Sequence, residues 1–362
     1  MSCEHSNKVA SEASETLLLQ DTLKYAQGFA IARSDDYVCV TVCHPDDEKK
    51  MYGKYYLCKN DTVKTPTDGA RIQIPLNSIA TASCTHFEFL QLLGEIEKIT
   101  GICEPKRAYN PTIRRRATRG LVLDLGDSFN INYEKLLGLK PSALMVSGLE
   151  QHDENQVRIF RSGIPILYNN EWMEKTLLGR AEWIKFVAVF FDKSSKADSI
   201  FKQIETEYQK ATLLAQHADI KPVIMAGTDF RGTWYVPGGK SYVAELYRNG
   251  GGKYVFENES TTASIPLSFE AALQNFSHAD VWLWCSCNSL QELKAINEKH
   301  ALFKAFQSGN VYSNTNRSTP TGGNDFWESA VARPDILLQD VIKALHPEWL
   351  PNHSLYYLKK IN

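Results

Sequence analysis

The segment Pro237-Gly238-Gly239-Lys240-Ser241 carries the glycines, lysine and hydroxyl that bind phosphate in nucleotide-binding loops. Such a loop needs another glycine five residues before the glycine of its Gly-Lys pair, so that the backbone can approach the phosphates closely. Trp234 stands at that position, and no apolar strand ends directly before the segment. We therefore do not expect a nucleotide site here.

Histidine and cysteine are the usual ligands of transition metals, and the chain contains enough of both to form a metal site. The 9 histidines contain no H-x-x-x-H pair and the 8 cysteines contain no C-x-x-C pair, so their spacing supports neither a structural zinc nor a bare-metal site. His86 follows a predicted strand and is expected to have a hydrogen-bonding role at a cleft. No G-x-S-x-G motif occurs, so an enzymatic function has no recognisable nucleophile.

Aromatic side chains in predicted loops say more about the ligand than the histidines and cysteines do. They are Phe129 after a strand end, Trp172, the pair Trp234 and Tyr235, and Phe326-Trp327 in a glycine-rich loop. Aromatic and amide groups in such loops suit a large, flat, polar ligand. The alternative is that each ring packs into its own domain.

The composition is that of a soluble globular protein of two domains. The chain has 362 residues, of which 43% are hydrophobic and 23% charged, and its net charge is -2. That charge offers no electrostatic argument for nucleic acid or an anionic membrane as a partner. No window reaches the roughly 20 apolar residues that span a bilayer.

The predicted elements change along the chain. Residues 28–79 contain short alternating runs typical of β-hairpins, whereas strands and helices alternate after Thr85, which predicts parallel sheets. The segment 177–216 has helical periodicity and could join two lobes as a stiff spine. Residues 192–195 could interrupt it, so one helix or two remains open.

The two halves of the chain contain a similar unit. In residues 132–146 and again in 268–283, an aromatic-Glu pair stands nine residues before an alanine that opens an apolar strand. The glutamates are Glu134 and Glu270, each in the first turn of a predicted helix. We therefore predict an α/β protein with two Rossmann-like lobes, whose parallel sheets face each other across a ligand cleft.

Several segments resemble a known family. Residues 177–186, 324–329, 333–335 and 346–348 are similar to motifs of ABC-importer binding proteins for iron siderophores, haem and cobalamin. The resemblance covers roughly residues 75–358 and leaves the β-rich N-terminal segment outside. It implies a protein without catalysis or a resident cofactor that binds a metal chelate and delivers it to a permease and its ATPase subunits.

The resemblance also implies roles for particular residues. In this family one glutamate on each lobe docks onto permease arginines, and the matching residues are Glu134 and Glu270. By position, the cleft residues are expected to be Ser83, Thr85, His86, Phe129, Glu150, Trp172, Trp234, Tyr235 and Arg317. Arg317 would suit a ligand with carboxylates or other negative groups.

The expected organisation has four parts: a flexible tail at 1–25, an N-terminal lobe with its added β-rich segment at 26–176, a spine helix at 177–216, and a C-terminal lobe at 217–362. Cys3 resembles the lipidated cysteine of a processed bacterial lipoprotein, although an ordinary cysteine in a tail is the alternative. We expect a monomer in the periplasm or cell envelope, attached to the membrane through this lipid.

Two other functions remain open at this point. A chelatase-like enzyme on the same two-lobed fold would require a cleft histidine beside a carboxylate, and His86 is the candidate. A binding protein for bare zinc or manganese would require three or four converging histidine and acidic ligands.

Overall fold

The computed structural model describes residues 19–148, 159, 162–216 and 219–362. The 20 strands of these ranges are β1 Leu19–Gln20, β2 Phe29–Arg33, β3 Val38–His44, β4 Asp47–Cys58, β5 Ala70–Gln73, β6 Ile79–Thr81, β7 Ile99–Ile102, β8 Leu123–Asp124, β9 Gly126–Asp127, β10 Asn130–Ile131, β11 Leu144–Val146, β12 Ile166–Tyr168, β13 Val223–Ala226, β14 Asp229–Phe230, β15 Thr233–Pro237, β16 Lys253–Tyr254, β17 Ser264–Leu267, β18 Val281–Leu283, β19 Val311–Ser313 and β20 Lys359–Lys360.

The α-helices of the same ranges are α1 Phe87–Leu93, α2 Pro111–Thr118, α3 Tyr133–Leu139, α4 Leu177–Glu182, α5 Ile184–Val189, α6 Ser194–Gln216, α7 Tyr242–Asn249, α8 Phe269–Phe276, α9 Leu290–Ile296, α10 Lys304–Gln307, α11 Asp325–Glu328 and α12 Pro334–Leu345. Short 3-10 helices lie at Cys84–His86, Ile96–Lys98, Pro105–Arg107, Glu171–Met173 and Glu298–Leu302.

Two parallel sheets form the centres of two α/β lobes, as predicted. The N-terminal sheet has the order β12-β11-β6-β7-β8, and the C-terminal sheet has the order β16-β13-β18-β19-β20 with β20 antiparallel at the edge. Both contain the same four-strand arrangement, β7-β6-β11-β12 in one lobe and β16-β13-β18-β19 in the other. The internal repeat seen in the sequence is therefore a repeat of topology.

The spine segment 177–216, expected to be one helix or two, forms three helices. Trp183 separates α4 from α5, and Asp192 adopts a left-handed φ of 56° between α5 and α6. Phe190 and Phe191 turn into the core at this break, which gives a reason for the helix to end there. The interruption lies close to the one foreseen at residues 192–195.

Helix α6 belongs to both hydrophobic cores. Ala197 and Phe201 in its first half pack into the N-terminal core. Tyr208 and Ala215 in its second half pack into the C-terminal core. At 1.5 Å per residue the helix is about 35 Å long, so it can support both lobes. It is the spine of the molecule.

The β-rich N-terminal segment forms a separate sheet in the order β1-β2-β3-β4-β5, antiparallel except for the parallel β4–β5 pair. Its apolar face packs on α5 and the residues beside it. The rings of Phe29 and Trp183 are 4.8 Å apart and those of Phe29 and Phe186 are 5.7 Å apart. The added sheet therefore shares the core of the N-terminal lobe.

Two buried carboxylates connect this sheet to the spine. Glu182 accepts hydrogen bonds from the backbone N–H groups of residues 24–26, at 2.8 to 3.1 Å. Glu174 accepts from the N–H groups of residues 27 and 28 and from the indole of Trp183. Five consecutive N–H groups in an irregular segment thus obtain acceptors away from water.

A third carboxylate holds the C-terminal segment in the same way. Asp340 of α12 is fully buried, and it accepts from the backbone N–H groups of residues 356–358. His353 contacts the same carboxylate at 2.6 Å. The strand β20 that follows is thereby placed at the edge of the C-terminal sheet.

Replacement of Glu182 by Gln should lower the free energy of unfolding by about 3 kcal/mol, because backbone N–H groups and Lys185 lose a charged acceptor. Urea unfolding followed by circular dichroism measures this change. Glu207→Gln is the control, since Glu207 pairs with Lys210 at the surface and its loss should cost less than about 0.5 kcal/mol. Equal effects of the two substitutions would contradict the role given to Glu182.

Candidate functional site

A cavity of about 660 Å³ lies at the carboxyl ends of strands β13, β18 and β19, where parallel sheets bind ligands. Most of its wall belongs to the C-terminal lobe. The N-terminal lobe contributes Thr85, and helix α4 contributes Leu177 and Arg180. The cavity therefore opens at the junction of the two lobes and the spine.

An aromatic cluster forms one wall of this cavity. The ring of Phe326 lies 5.0 Å from that of Trp284 and 4.8 Å from that of Trp327. The indole N–H of Trp284 donates to the hydroxyl of Tyr247 at 2.6 Å, so its polar end is satisfied inside the lobe. Trp327 is 57% exposed and presents its ring to the cleft. The wall offers stacking surfaces for a flat ligand.

The backbone at the end of β18 is strained. Trp284 has a φ of 63° and Ser286 a φ of 53°, and both residues line the cavity. A left-handed conformation is unfavourable for a bulky residue such as tryptophan. Strain of this kind persists where the surrounding structure enforces it, often at binding sites. Here it turns the Trp284 ring to the cavity and leaves Cys285 buried behind it.

Arg180 is the charged residue of this cavity wall within the described ranges. Its guanidinium contacts the carboxylate of Glu171 at 2.6 Å, and their side chains are 11% and 1% exposed. The guanidinium also lies 4.4 Å from the ring centroid of Tyr242. Its charge is therefore matched inside the protein.

A second cavity, of about 490 Å³, lies between the lobes and shares Trp327 with the first. Ser83, Cys84 and Cys103 line it from the N-terminal lobe. The loop 321–324 and Glu328 line it from the C-terminal lobe. Burial raises the pKa of both cysteine thiols to about 12, so they are protonated near neutral pH and are poor metal ligands in that form.

Direct contacts join the lobes beside this second cavity. Glu328 accepts hydrogen bonds from the backbone N–H groups of Tyr109 and Asn110. On the same side, a Cβ at Gly323 would meet the carbonyl oxygen of Ala108 at 2.6 Å, so only glycine permits this approach. Helix α11, which carries Trp327, is thus fixed to the opposite lobe.

Further charged groups lie near this contact. Glu88 of α1, in the N-terminal lobe, faces Glu328, Asp325, Arg317 and Arg333 of the C-terminal lobe. Burial raises the pKa of Glu328 to about 7, and burial with repulsion from Asp325 raises the pKa of Glu88 to about 7. Two carboxyl groups from opposite lobes therefore titrate near neutral pH in one contact region.

Some of the predicted cleft residues line a cavity in the structure and others do not. Thr85 and Tyr235 line the larger cavity, and Ser83 lines the second. Phe129 is 79% exposed at the tip of the β9–β10 hairpin, and Trp172 is 42% exposed. Neither of these two lines either cavity.

Trp234, His86 and Arg317 line neither of the two cavities. Trp234 is fully buried in the C-terminal core, where its indole N–H donates to the carbonyl of Ala226. His86 is fully buried, 3.5 Å from the hydroxyl of Ser147, and burial lowers its pKa to about 3. Arg317 binds Asp325 at 2.6 Å and lines neither cavity. Core packing and ion pairing explain these positions.

Glu150 and Cys3 lie outside the described residues. The cavity residues that the predicted set omitted include Arg180, Tyr242, Trp284, Phe326 and Trp327. Phe326-Trp327 had a signal in the sequence, since they follow a glycine-rich loop. Trp284 had none, because it continues an apolar strand and its exposure results from a backbone turn.

Glu134 and Glu270 occupy equivalent places in the two lobes. Each is exposed in the first turn of a helix, α3 or α8, that precedes a central parallel strand. Asn132 and Ser268 cap these helices by accepting from the N–H groups of Lys135 and Ala271. The caps fix the direction of each helix and so the position of its carboxylate.

Residues 79–317 match the family described as periplasmic binding protein, and the chain belongs to this family. An uncharacterized lipoprotein from Methanocaldococcus jannaschii is 25% identical over 366 aligned positions, which cover 94% of this chain and 85% of the relative. No helix in the described ranges combines the length and apolarity needed to cross a bilayer.

Solved structures share the fold. The periplasmic heme binding protein of Vibrio cholerae superposes with a TM-score of 0.56 at 17% identity, covering 72% of this chain and 98% of that protein. The periplasmic vitamin B12 binding protein of the same organism gives 0.55 at 15% identity, covering 75% and 96%. These likenesses support the two-lobed fold.

The titration of Glu88 and Glu328 predicts a pH-dependent stability. Both pKa values lie above the ordinary 4.5, so the folded protein holds these protons more tightly than the unfolded chain does. Their contribution is complete below about pH 4.5 and is lost as the pH rises through about 7. The melting temperature should therefore fall between about pH 5.5 and about pH 8, and less so in the double variant Glu88→Gln, Glu328→Gln.

The exposed residue Glu97 supplies the control for this experiment. Differential scanning calorimetry of Glu97→Gln should give the same pH dependence as the unmodified protein. An unchanged pH dependence in the double variant would show that other groups cause it.

Proposed function

We propose that this protein is the substrate-binding component of an ABC importer. It binds a metal chelate, namely a ferric siderophore, haem or a cobalamin-like corrinoid, in the cleft between its lobes and delivers it to the permease. The observation that carries this proposal is the aromatic cavity, which lies at the carboxyl ends of parallel strands where the two lobes meet. Membership of the periplasmic binding protein family supports it.

The shape of the site suits a large ligand. The two cavities measure about 660 and 490 Å³ and share Trp327, so one ligand could contact both lobes at once. The wall of Trp284, Phe326 and Trp327 provides ring faces, while the second cavity provides polar groups. Because α6 belongs to both cores, binding should change the angle between the lobes only slightly.

The chelatase alternative loses its candidate residue. It required His86 in the cleft beside a carboxylate, but the His86 ring is buried and contacts Ser147. For the bare-metal alternative, the described residues contain no group of three or more His, Cys, Asp or Glu placed to hold an ion. The chelate-binding function is therefore the better supported proposal.

We also propose the chain organisation that accompanies this function. The N-terminal lobe would comprise residues 26–176 and the C-terminal lobe residues 217–362, joined by the 177–216 segment. A lipid on Cys3 would hold the protein at the cell envelope, as the lipoprotein character of the relative supports. The tail of residues 1–25 would then act as the tether.

A thermal-shift screen with haem, corrinoids and ferric siderophores tests the ligand class. A ligand at a hundred times its Kd adds about 2.7 kcal/mol to the stability of the folded state, which is readily measured. Trp327→Ala should weaken binding of the responsive ligand by about tenfold, because it removes a stacking surface.

Trp172→Ala provides the matched control, since Trp172 is partly exposed but lines neither cavity. It should leave Kd unchanged in titration calorimetry. If both substitutions weaken binding alike, the ligand does not bind in the cavity that Trp327 lines. If no chelate binds, the proposed function is wrong.

The docking role of Glu134 and Glu270 has a separate test. Two carboxylates at fixed positions can form charge-assisted pairs with arginines on a permease and set its register. The double variant Glu134→Ala, Glu270→Ala should abolish ligand uptake in reconstituted vesicles while Kd for the ligand stays the same.

The double variant Glu97→Ala, Glu298→Ala removes two other exposed carboxylates and should transport normally. Loss of ligand affinity in the Glu134, Glu270 variant would instead assign these residues to the cleft. Normal transport by that variant would exclude them from docking.

A further inference from the structure

Among the described residues, three arginines in or beside the two cavities, Arg180, Arg317 and Arg107, have carboxylate partners. In the larger cavity, Arg180 is bound to Glu171, and both side chains are almost fully buried. Breaking a buried pair of this kind leaves an uncompensated charge and is strongly unfavourable. A carboxylate on a ligand would have to displace Glu171 to use this guanidinium.

Arg317 also has a carboxylate partner. It binds Asp325 at 2.6 Å and stacks over Tyr356, with 4.1 Å between the guanidinium carbon and the ring centroid. In the second cavity Arg107 contacts Glu104 at 3.0 Å, and Glu328 adds another carboxyl group nearby. Among the described residues, the formal charges that line this second cavity, two carboxyl groups and one guanidinium, do not sum to a positive value.

The other described residues that line the larger cavity are neutral. Trp284, Phe326 and Trp327 offer ring faces, and Thr228, Ser264 and Asn314 offer hydroxyl or amide groups. Hydroxyls and amides pair well with amides, and aromatic faces stack on conjugated rings. The charge on the described part of this wall is that of Arg180, which is paired, so a carboxylate buried there would lose its hydration without compensation.

We propose that the cleft selects a large chelate with a conjugated or ring-shaped body whose periphery ends in neutral amide or hydroxyl groups, and that it discriminates against the same body bearing carboxylates. This inference rests on the proposed function and narrows its ligand class by charge. Arg180, held by Glu171, is the residue that sets the discrimination.

Matched ligands that differ in peripheral charge test this selectivity. Titration calorimetry on the full chain would compare dicyanocobinamide, which carries peripheral amides, with dicyanocobyrinic acid, which carries carboxylates on the same ring. Haem and its bis-amide form a second pair. The amide member of a pair that binds should bind at least about tenfold more tightly, because a tenfold ratio corresponds to 1.4 kcal/mol.

Equal or tighter binding of the carboxylate member would overturn the inference and leave the proposed function standing. If neither member of either pair binds and ferric hydroxamates also fail, the proposed function is wrong and the inference falls with it. These outcomes are distinguishable because the first shows binding and the second shows none.

The substitution Glu171→Gln tests the role assigned to Arg180. This substitution removes the charge that holds the guanidinium but keeps the size of the neighbouring side chain. Affinity for the carboxylate ligand should therefore rise about fivefold, and the preference for the amide ligand over the carboxylate ligand should become smaller. Glu205→Gln is the control, since Glu205 is a largely buried acid paired with Lys24 far along the spine. It should leave the preference unchanged.

A folded Glu171→Gln protein with unchanged preference would overturn the role of Arg180. Circular dichroism establishes whether this variant folds. If it does not fold, the ligand pairs measured on the unmodified protein still decide the charge selectivity.

Discussion

Buried carboxylates that accept backbone N–H groups hold the separate parts of this molecule together. Glu174 and Glu182 bind residues 24–28, which connect β1 to β2 of the added sheet, Asp340 binds the C-terminal segment, and Glu328 binds the opposite lobe. Each connects stretches of irregular backbone whose N–H groups would otherwise be buried without acceptors. A single carboxylate can accept several donors with the strength of a charge-assisted bond, so few residues suffice.

The cleft depends on these connections. The Glu328 contact fixes α11 and hence the ring of Trp327, while α6 gives both lobes a common core element. The strained backbone at Trp284 holds the ring beside Phe326, and the Arg180–Glu171 pair holds another part of the cavity wall. A site built from elements that are already fixed loses little conformational freedom when a ligand enters, which favours affinity.

The sequence predicted the two lobes well, because a repeated unit and alternating strand and helix periods follow directly from local residue patterns. It also placed Glu134 and Glu270 at equivalent helix starts. The residues of the cleft were harder to predict from the sequence. Trp234 and Tyr235 alternate in strand β15, so one must face inward and the other outward, and the larger tryptophan is the one that fills the core.

Contacts between distant residues could not be predicted from the sequence. Glu328 meets residues 109 and 110 across more than 200 positions, and no local pattern distinguishes it from an ordinary helix acid. The left-handed turn at Trp284 is likewise invisible, since the sequence there reads as a continuous apolar strand. Such features arise from the packing of whole elements and not from their local composition.

The attachment of the first sheet has a consequence for the order in which the chain assembles. Residues 24–28 find their acceptors at Glu174 and Glu182, about 150 positions later in the chain. During synthesis the N-terminal strands therefore emerge long before their anchoring groups exist. Contacts of such long sequence separation form slowly because a large loop must close first. The part of the lobe that leaves the ribosome first is accordingly among the last to reach its final place.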